Sequence, residues 1–372
     1  MRIEIEKKDL LNLIGRTINI VEKRNSMPVL VNVLLEAKDG FLRVFATDLE
    51  VSLTDQVKAQ VHQSGSVAVS AKSLFEISKE LSDAPIQLVK KENNWLEIKQ
   101  GKYLSKIVGI NAEEYPIFPT HTNASFAQIE GHVLKDMIDK TIFSVSTDES
   151  RYHLNGVYFE HKTEGDLGRF IMVATDGHRM SLVNKSTAQM ASMTPGQGVI
   201  IPRKGLLEIR KLLDAMDGLF EVAVEGAQLI VRHGWTTLMI RLIEGKYPNY
   251  QQFIPQKLKQ RIQINREAFL TSLKRVSLLS NHKSKAVTIN FSAGRMEISS
   301  NNPELGDAKE ELEIDYQGND LKVGFNARYI TDVLSSMSDD DVDFELNDQV
   351  SPGLMKPHND AEYTCVVMPM RI

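Results

Sequence analysis

The alternation of apolar and polar positions along the chain predicts short strands combined with amphipathic helices. Residues 1–6 alternate apolar and charged side chains, as a half-buried strand does. Apolar residues at helical spacing follow over 10–21, and two apolar strands come next over 32–36 and 42–48. The first part of the chain is therefore predicted to fold as a strand, a helix and a hairpin that covers the apolar face of the helix.

This order of elements recurs with a period of about 120 to 130 residues. The triplet Ala-Thr-Asp ends the second hairpin strand at 46–48 and recurs at 174–176, and the third copy has Ser-Asn-Asn at 300–302. Each copy continues with another strand, a second helix and further strands. The pattern predicts six helices, over 7–24, 72–81, 132–143, 203–216, 266–279 and 327–337.

The repeat predicts three similar domains. Polar stretches near 121–125 and 254–260 separate the copies, which gives domains over 1–122, 123–255 and 256–372. Two helices per domain need sheets to cover their apolar stripes, so the fold class is α+β, with helices packed on antiparallel sheets. Similar domains in a row can form an arc, and a repeated rotation that closes makes a ring.

Charge is distributed unevenly along the chain. The whole chain carries −5, yet the predicted helices are net basic. A shared helical face would then attract DNA phosphates without reading sequence. The alternative is that these cations are ordinary solvated helix faces. The candidates for DNA contact lie at helix ends and in adjoining loops: Arg24, Lys72, Arg203, Lys204, Lys274, Arg275, Lys283 and Lys285.

Composition narrows the class of protein further. With 42% hydrophobic and 25% charged residues, the chain is typical of a globular protein, and no stretch is apolar enough to span a membrane. Residues 1–6 lack the apolar run of a secretory signal, so the expected location is the cytoplasm. The chain has a single cysteine, Cys365, and nine scattered histidines, so no metal site is predicted. The sequence contains no phosphate-binding loop motif, so no nucleotide cofactor is predicted either.

Two local motifs are candidate sites. The Asp-Gly step in 175–179 is a turn signal, although Asp176 and His178 could also serve a hydrolase as acid and base. No nucleophile stands nearby, and the same Thr-Asp pair occurs at 47–48, which favours an architectural turn. The tail 365–372 is apolar. It is either the last strand of the third core or a wall of an apolar peptide-binding groove beside the Gly177 turn.

Four motifs in the same order resemble the bacterial DNA polymerase III β subunit family, the sliding clamps. They are the turn 175–179 and the segments 199–205, 301–304 and 366–371, and the resemblance covers the whole chain. It implies a head-to-tail homodimer, closed as a six-domain ring around duplex DNA, that confers processivity and catalyses no reaction. The implied partners are double-stranded DNA, a second copy, the polymerase III catalytic subunit, the clamp loader, and other polymerases and repair proteins that dock short peptides. No association with a membrane is implied.

The resemblance also implies site residues. For the ring joint these are Leu104, Leu278 and Leu279, and for DNA contact Arg24, Arg203 and His153, the last in place of a tyrosine. At Gln252 and Phe253 the best-known relatives have arginine and then valine. A scaffold that binds peptides but not DNA is the competing hypothesis. The implied peptide pocket consists of Leu154, Thr175, Gly177, His178, Arg179, Met180, Pro248, Gln252, Phe253, Val366, Val367, Met368, Pro369, Met370, Arg371 and Ile372.

Overall fold

The computed structural model describes residues 1–21, 27–116, 118, 124–164, 167–187, 198–256 and 258–371. Within these residues, six α-helices follow strands almost directly, which confirms the six predicted helices. Their bounds are α1 (Lys7–Gly15), α2 (Ala71–Glu80), α3 (Gly131–Asp139), α4 (Arg203–Ala215), α5 (Arg266–Val276) and α6 (Ala327–Ser335). None of the described helices is both long and apolar enough to cross a bilayer.

The first helix is shorter than predicted. It ends at Gly15, and the chain continues through turns up to Ile20 rather than as a helix to residue 24. The hydroxyl of Thr17 donates to the carbonyl oxygen of Ile14 at 2.7 Å, and the backbone N–H of Thr17 also points at that oxygen, at 2.9 Å. A local bond of this kind competes with helical hydrogen bonding, which apolar periodicity does not reveal.

The strands are short, and where they pair they run antiparallel. In chain order they are β1 (Arg2–Ile5), β2 (Asn32–Lys38), β3 (Phe41–Thr47), β4 (Val51–Lys58), β5 (Gln60–Gln63), β6 (Gly65–Ser70), β7 (Ile86–Lys90), β8 (Leu96–Gln100), β9 (Tyr103–Ile107), β10 (Gly109–Ile110), β11 (Ala127–Glu130), β12 (Gly156–Glu164), β13 (Leu167–Thr175), β14 (Arg179–Thr187), β15 (Val199–Pro202), β16 (Leu219–Glu225), β17 (Gln228–His233), β18 (Thr236–Arg241), β19 (Gln260–Asn265), β20 (Ala286–Ser292), β21 (Arg295–Asn302), β22 (Gly306–Glu313), β23 (Leu321–Asn326), β24 (Asp341–Leu346), β25 (Gly353–Pro357) and β26 (Tyr363–Val367).

The described chain forms two compact units. Unit 1 contains residues from 1–132 and 204–242. It has a five-stranded sheet in the order β5-β1-β7-β8-β9 and a nine-stranded sheet in the order β10-β6-β2-β3-β4-β18-β17-β16-β11. Buried and half-buried positions alternate along β2 and β3, so each strand turns one apolar face to the core. That core also takes in Leu10, Leu13 and Leu74 of the paired helices α1 and α2.

Unit 2 contains residues from 133–187, 198–203 and 243–371. Its eight-stranded sheet has the order β15-β12-β13-β14-β26-β25-β24-β19, and its four-stranded sheet has the order β22-β21-β20-β23. The helices α5 and α6 pack on each other, and Phe269, Phe291 and Phe344 are fully buried. The ring centroids of Phe269 and Phe291 lie 6.3 and 6.1 Å from that of Phe344. Pairing of β14 with β26 brings two distant parts of the chain together, with Met180 opposite Val366.

Candidate functional site

The turn between β13 and β14, residues 175–179, is held by its own side chains. The hydroxyl of Thr175 accepts from the N–H of Gly177 at 3.0 Å and donates to the carbonyl oxygen of Arg179 at 2.7 Å. Oδ1 of Asp176 accepts from two further backbone N–H groups of the turn, at 2.9 and 3.0 Å. Gly177 has a φ of +88°, and a Cβ there would lie 2.8 Å from Nη1 of Arg151, so both conformation and space favour glycine.

The same turn does not assemble a hydrolytic pair. The second carboxylate oxygen of Asp176 accepts from Nε of Arg179 at 3.1 Å, so the turn uses both oxygens. The ring of His178 stacks on Tyr329 of α6, with centroids 6.1 Å apart and planes 12° apart. Within the described ranges no contact joins the His178 ring to the Asp176 carboxylate. The geometry therefore supports the architectural interpretation of the motif.

The tail continues from β26 and passes beside this turn. Val366 and Val367 are buried in β26, so this part of the tail is the last strand of the core. The next residue, Met368, is 41% exposed, and its N–H donates to the carbonyl oxygen of His178 at 2.9 Å. The N–H of Met370 donates to the carbonyl oxygen of Gly324 at 2.8 Å. We call the turn 175–179 and the tail 366–371 together the turn–tail site.

An apolar cluster lies next to the turn–tail site. Tyr158 and Tyr247 stack in it with centroids 5.1 Å apart, and burial raises the pKa of the Tyr247 hydroxyl well above its ordinary value. This cluster gives the site an apolar base that an incoming side chain could extend. Its buried members are Leu154, Ile171, Val173, Met180, Ile200, Tyr247, Tyr250, Leu354 and Val366.

The structure distributes the predicted pocket residues over different depths. Leu154, Arg179, Met180, Val366 and Val367 are buried, whereas Gly177, His178, Met368 and Arg371 are exposed and Pro248, Pro369 and Met370 are half-buried. Gln252 and Phe253 are exposed on a 3-10 turn, Tyr250–Phe253, whose first residue packs in the apolar cluster. Ile372 lies outside the described residues.

Three residues around the site were not predicted. Arg151 lies over Gly177, while Tyr329 and Asp332 of α6 contact Arg179. Burial raises the pKa of the Tyr329 hydroxyl, which is consistent with its stacked position. They belong to no motif and lie far from the turn or tail in sequence, so only the tertiary fold identifies them.

Several of the candidate DNA-binding cations are engaged by carboxylates. Lys204 has its Nζ 2.7 Å from Oδ2 of Asp48 and 3.4 Å from Oε2 of Glu50. Lys72 lies 3.7 Å from a carboxylate one helical turn ahead. Arg275 donates to both oxygens of Glu310, and this hydrogen bonding lowers the pKa of the Glu310 carboxyl.

The remaining candidates lie at helix ends and in loops, as predicted. Arg203 is the exposed first residue of α4, and Lys274 is in the last turn of α5. Lys283 and Lys285 lie in a loop after α5, folded around the side chain and the carbonyl of Asn281. His153 is half-buried, and its ring meets that of Tyr152 edge to face at 5.7 Å. Arg24 lies outside the described residues. DNA contact by this set stays a prediction.

The predicted joint residues are at the surface. Leu104 is 56% exposed on β9, an outer strand of the five-stranded sheet of unit 1. Leu278 is 73% exposed and Leu279 half-buried, both in the turn that follows α5 in unit 2. In that unit β22 is an outer strand of the four-stranded sheet. Exposed leucines near outer strands are a liability unless something covers them.

The fold and the site define a class: repeated α+β modules with an apolar, tail-bordered site suited to holding chain segments. Comparison with known families agrees. Three DNA polymerase III beta subunit domains match the chain: the N-terminal domain over 1–119, the central domain over 128–249 and the C-terminal domain over 251–371. The chain therefore belongs to the DNA polymerase III beta subunit family, and its function is that of a sliding clamp.

Individual relatives cover the full length. The beta sliding clamps of Caulobacter vibrioides and Pseudomonas aeruginosa are each 32% identical to the chain, with 100% of both chains covered. Among solved structures, a sliding clamp from Bartonella birtlesii bound to griselimycin superimposes with a TM-score of 0.94, at 32% identity and 100% coverage of both chains. A DNA polymerase sliding clamp from Caulobacter crescentus gives the same values.

Proposed function

We propose that two copies of the chain close head to tail into a six-domain ring around duplex DNA. The ring holds the polymerase III catalytic subunit on its template and catalyses no reaction itself. The clamp loader, other polymerases and repair proteins are its further partners, and it works in the cytoplasm at the nucleoid. The proposed domains of each copy are 1–122, 123–255 and 256–372.

The outer strands support the proposed ring joint. Lys106 lies in β9 and Lys102 just before it, whereas β22 carries four acidic side chains and one lysine: Asp307, Glu310, Glu311, Glu313 and Lys309. Pairing β9 of one copy with β22 of the other would extend a sheet, bring opposite charges together and cover Leu104. A heterologous contact of this kind produces a closed ring when the rotation that relates one copy to the next returns to its starting point.

The turn–tail site supports peptide docking. The observation that carries this proposal is the bond from the N–H of Met368 to His178, which holds an exposed tail methionine next to the turn and the buried apolar cluster. Methionine adapts its shape to varied apolar partners, so one site can accept peptides from several proteins. We expect these peptides to be short, with apolar side chains that reach the cluster.

Removing the tail tests this proposal. Deleting residues 368–372 should abolish binding of a fluorescent peptide from the polymerase III catalytic subunit, because the deletion removes one wall of the site and leaves β26 complete. The dimer, measured by light scattering, should persist because the proposed joint lies elsewhere in the chain. Unchanged peptide affinity in the folded, dimeric variant would contradict the proposed docking site. Loss of folding would show instead that 368–372 belong to the core.

A further inference from the structure

Arg179 was expected to line the peptide site, but its side chain is occupied below the surface. The residue is 7% exposed. Its guanidinium donates to Oδ2 of Asp176 at 3.1 Å, to Oδ2 of Asp332 at 2.6 Å and to the carbonyl oxygen of Phe143 at 2.7 Å. It also lies over the rings of Phe143 and Tyr329, at 5.3 and 4.7 Å from their centroids. A guanidinium held in this way does not present a binding surface to a peptide.

These contacts join elements that border the turn–tail site. Asp332 and Tyr329 belong to α6, and Phe143 lies in the turn after α3. Tyr329 contacts Arg179 on one side and stacks on the ring of His178. The backbone carbonyl oxygen of His178 in turn accepts the hydrogen bond from the N–H of Met368. The position of the tail 366–371 is thus connected to α6 through Arg179.

Unit 1 provides an internal control for the role of this arginine. There the hydroxyl of Thr47 accepts from the N–H of Leu49 at 3.0 Å, and Oδ1 of Asp48 accepts from the N–H groups of Glu50 and Val51 at 2.9 and 2.7 Å. These are the bonds of the turn 175–179, with Val51 in the place of Arg179. The turn therefore forms without an arginine, so the Arg179 side chain serves another purpose.

We propose that Asp332 is a positioning residue of the peptide site. Through Arg179 it holds His178 and the tail in the arrangement that binds peptide, and it does not touch the peptide itself. Charge-assisted hydrogen bonds to a buried guanidinium are strong and directional, which suits this task. The inference rests on the proposed peptide docking and adds a residue of α6 to that site.

The test is a double-mutant cycle on peptide affinity with Asp332→Asn, Arg179→Lys and both together. Each single variant should weaken binding about tenfold. The double variant should be little weaker than either, because both remove the same link. Asp332→Glu, which keeps the carboxylate, should recover part of the affinity. Hydrogen exchange of the Met368 amide should become faster in Asp332→Asn, a local readout that needs no peptide.

Lys185→Met is the matched control. Lys185 also bridges β14 to the segment before β26, at the other end of the strand pair, with its Nζ 2.9 Å from Glu362 and 3.8 Å from Asp360. The Lys185→Met variant should lower the melting temperature as much as Asp332→Asn does. It should leave the peptide affinity and the hydrogen exchange of the Met368 amide unchanged.

Two results with the variants overturn the inference. Wild-type affinity in folded Asp332→Asn would do so, and so would equal loss in the Lys185→Met control, which would mean a general loss of stability. Failure of the wild-type protein to bind peptide would reject the proposed docking itself. Unchanged Met368 exchange in Asp332→Asn would then reject the positioning link as well.

Discussion

Units 1 and 2 contain the same turn with different side chains, and only one copy is proposed to bind peptide. In unit 1 the turn 47–51 lies next to β18, and the N–H of Arg241 donates to the carbonyl oxygen of Glu50 at 2.8 Å. In unit 2 the turn 175–179 lies next to β26, where the N–H of Met368 donates to His178 at 2.9 Å. The hydrogen bonds of the turn are thus the same in both units, including the bond from the neighbouring chain segment.

The differences lie in the side chains on that frame. Leu49 places a side chain at the position of Gly177, with 52% of its surface exposed, whereas Nη1 of Arg151 lies over Gly177. The second carboxylate oxygen of the turn aspartate meets Lys204 of α4 in unit 1 and Arg179 of the turn itself in unit 2. The comparison teaches that the turn is architecture and that the proposed binding site differs from the turn of unit 1 by a few side chains.

Gly177→Leu should have the largest effect, because it gives the second turn the side chain of the first. The φ of +75° at Leu49 shows that this turn accepts leucine in the left-handed conformation, at a cost of about 1 kcal/mol. At position 177 the side chain of Arg151 must also shift, because its Nη1 would lie 2.8 Å from the new Cβ. The new side chain would cover the turn–tail site, and peptide affinity measured by fluorescence polarisation should fall about a hundredfold.

Gly226→Leu is the control for this prediction. Gly226 has a φ of +58° in an open turn of unit 1, so the same backbone penalty applies without any change at the site. Peptide binding that survives Gly177→Leu would contradict the role assigned to the glycine at position 177.

Lys204→Met should destabilise the chain by about 2 kcal/mol, because it leaves the fully buried carboxylate of Asp48 without its cation. The measurement is urea unfolding at neutral pH. Lys72→Met is the matched change, since Lys72 and its partner Glu76 are 67% and 63% exposed and such pairs contribute less than about 1 kcal/mol. Equal effects of the two variants on the free energy of unfolding would mean that the burial of Asp48 does not strengthen its ion pair with Lys204.

Leu49→Gly, the reverse exchange, should have the smallest effect. Relief of the positive φ should stabilise the chain by no more than about 1 kcal/mol in urea unfolding. No second peptide site should appear in a titration, because Val51 provides no link of the kind that Arg179 makes. Two bound peptides per chain would show that a glycine at this position of the turn is sufficient by itself.

Periodicity and turn signals predicted the repeated elements because these depend on neighbours in sequence. The Ala-Thr-Asp triplets and the Asp-Gly step located both turns. Gly177 and His178 entered the peptide pocket through the family resemblance, and that role stays a prediction. The end of α1 was wrong because the bond of Thr17 to Ile14 is invisible to an apolar pattern.

The roles of charged residues could not be predicted in the same way. Charge counting treated Lys204 as an available cation, and the family resemblance placed Arg179 in the wall of the peptide pocket, whereas the fold brings Asp48 and Asp332 to them. Partners distant in sequence are set by strand pairing and helix packing, and neither leaves a local signal. For the same reason Tyr329 was missed, although it stacks on His178, a predicted pocket residue.

Retention on DNA of defined topology tests the ring most directly. The protein is loaded on nicked circular DNA by a clamp loader, isolated by gel filtration, and the DNA is then cut once. A closed ring should stay on the circle at high salt and leave within minutes of the cut, because only the free end releases it. Equal loss from circular and linear DNA would contradict encirclement and favour a scaffold that binds peptides alone.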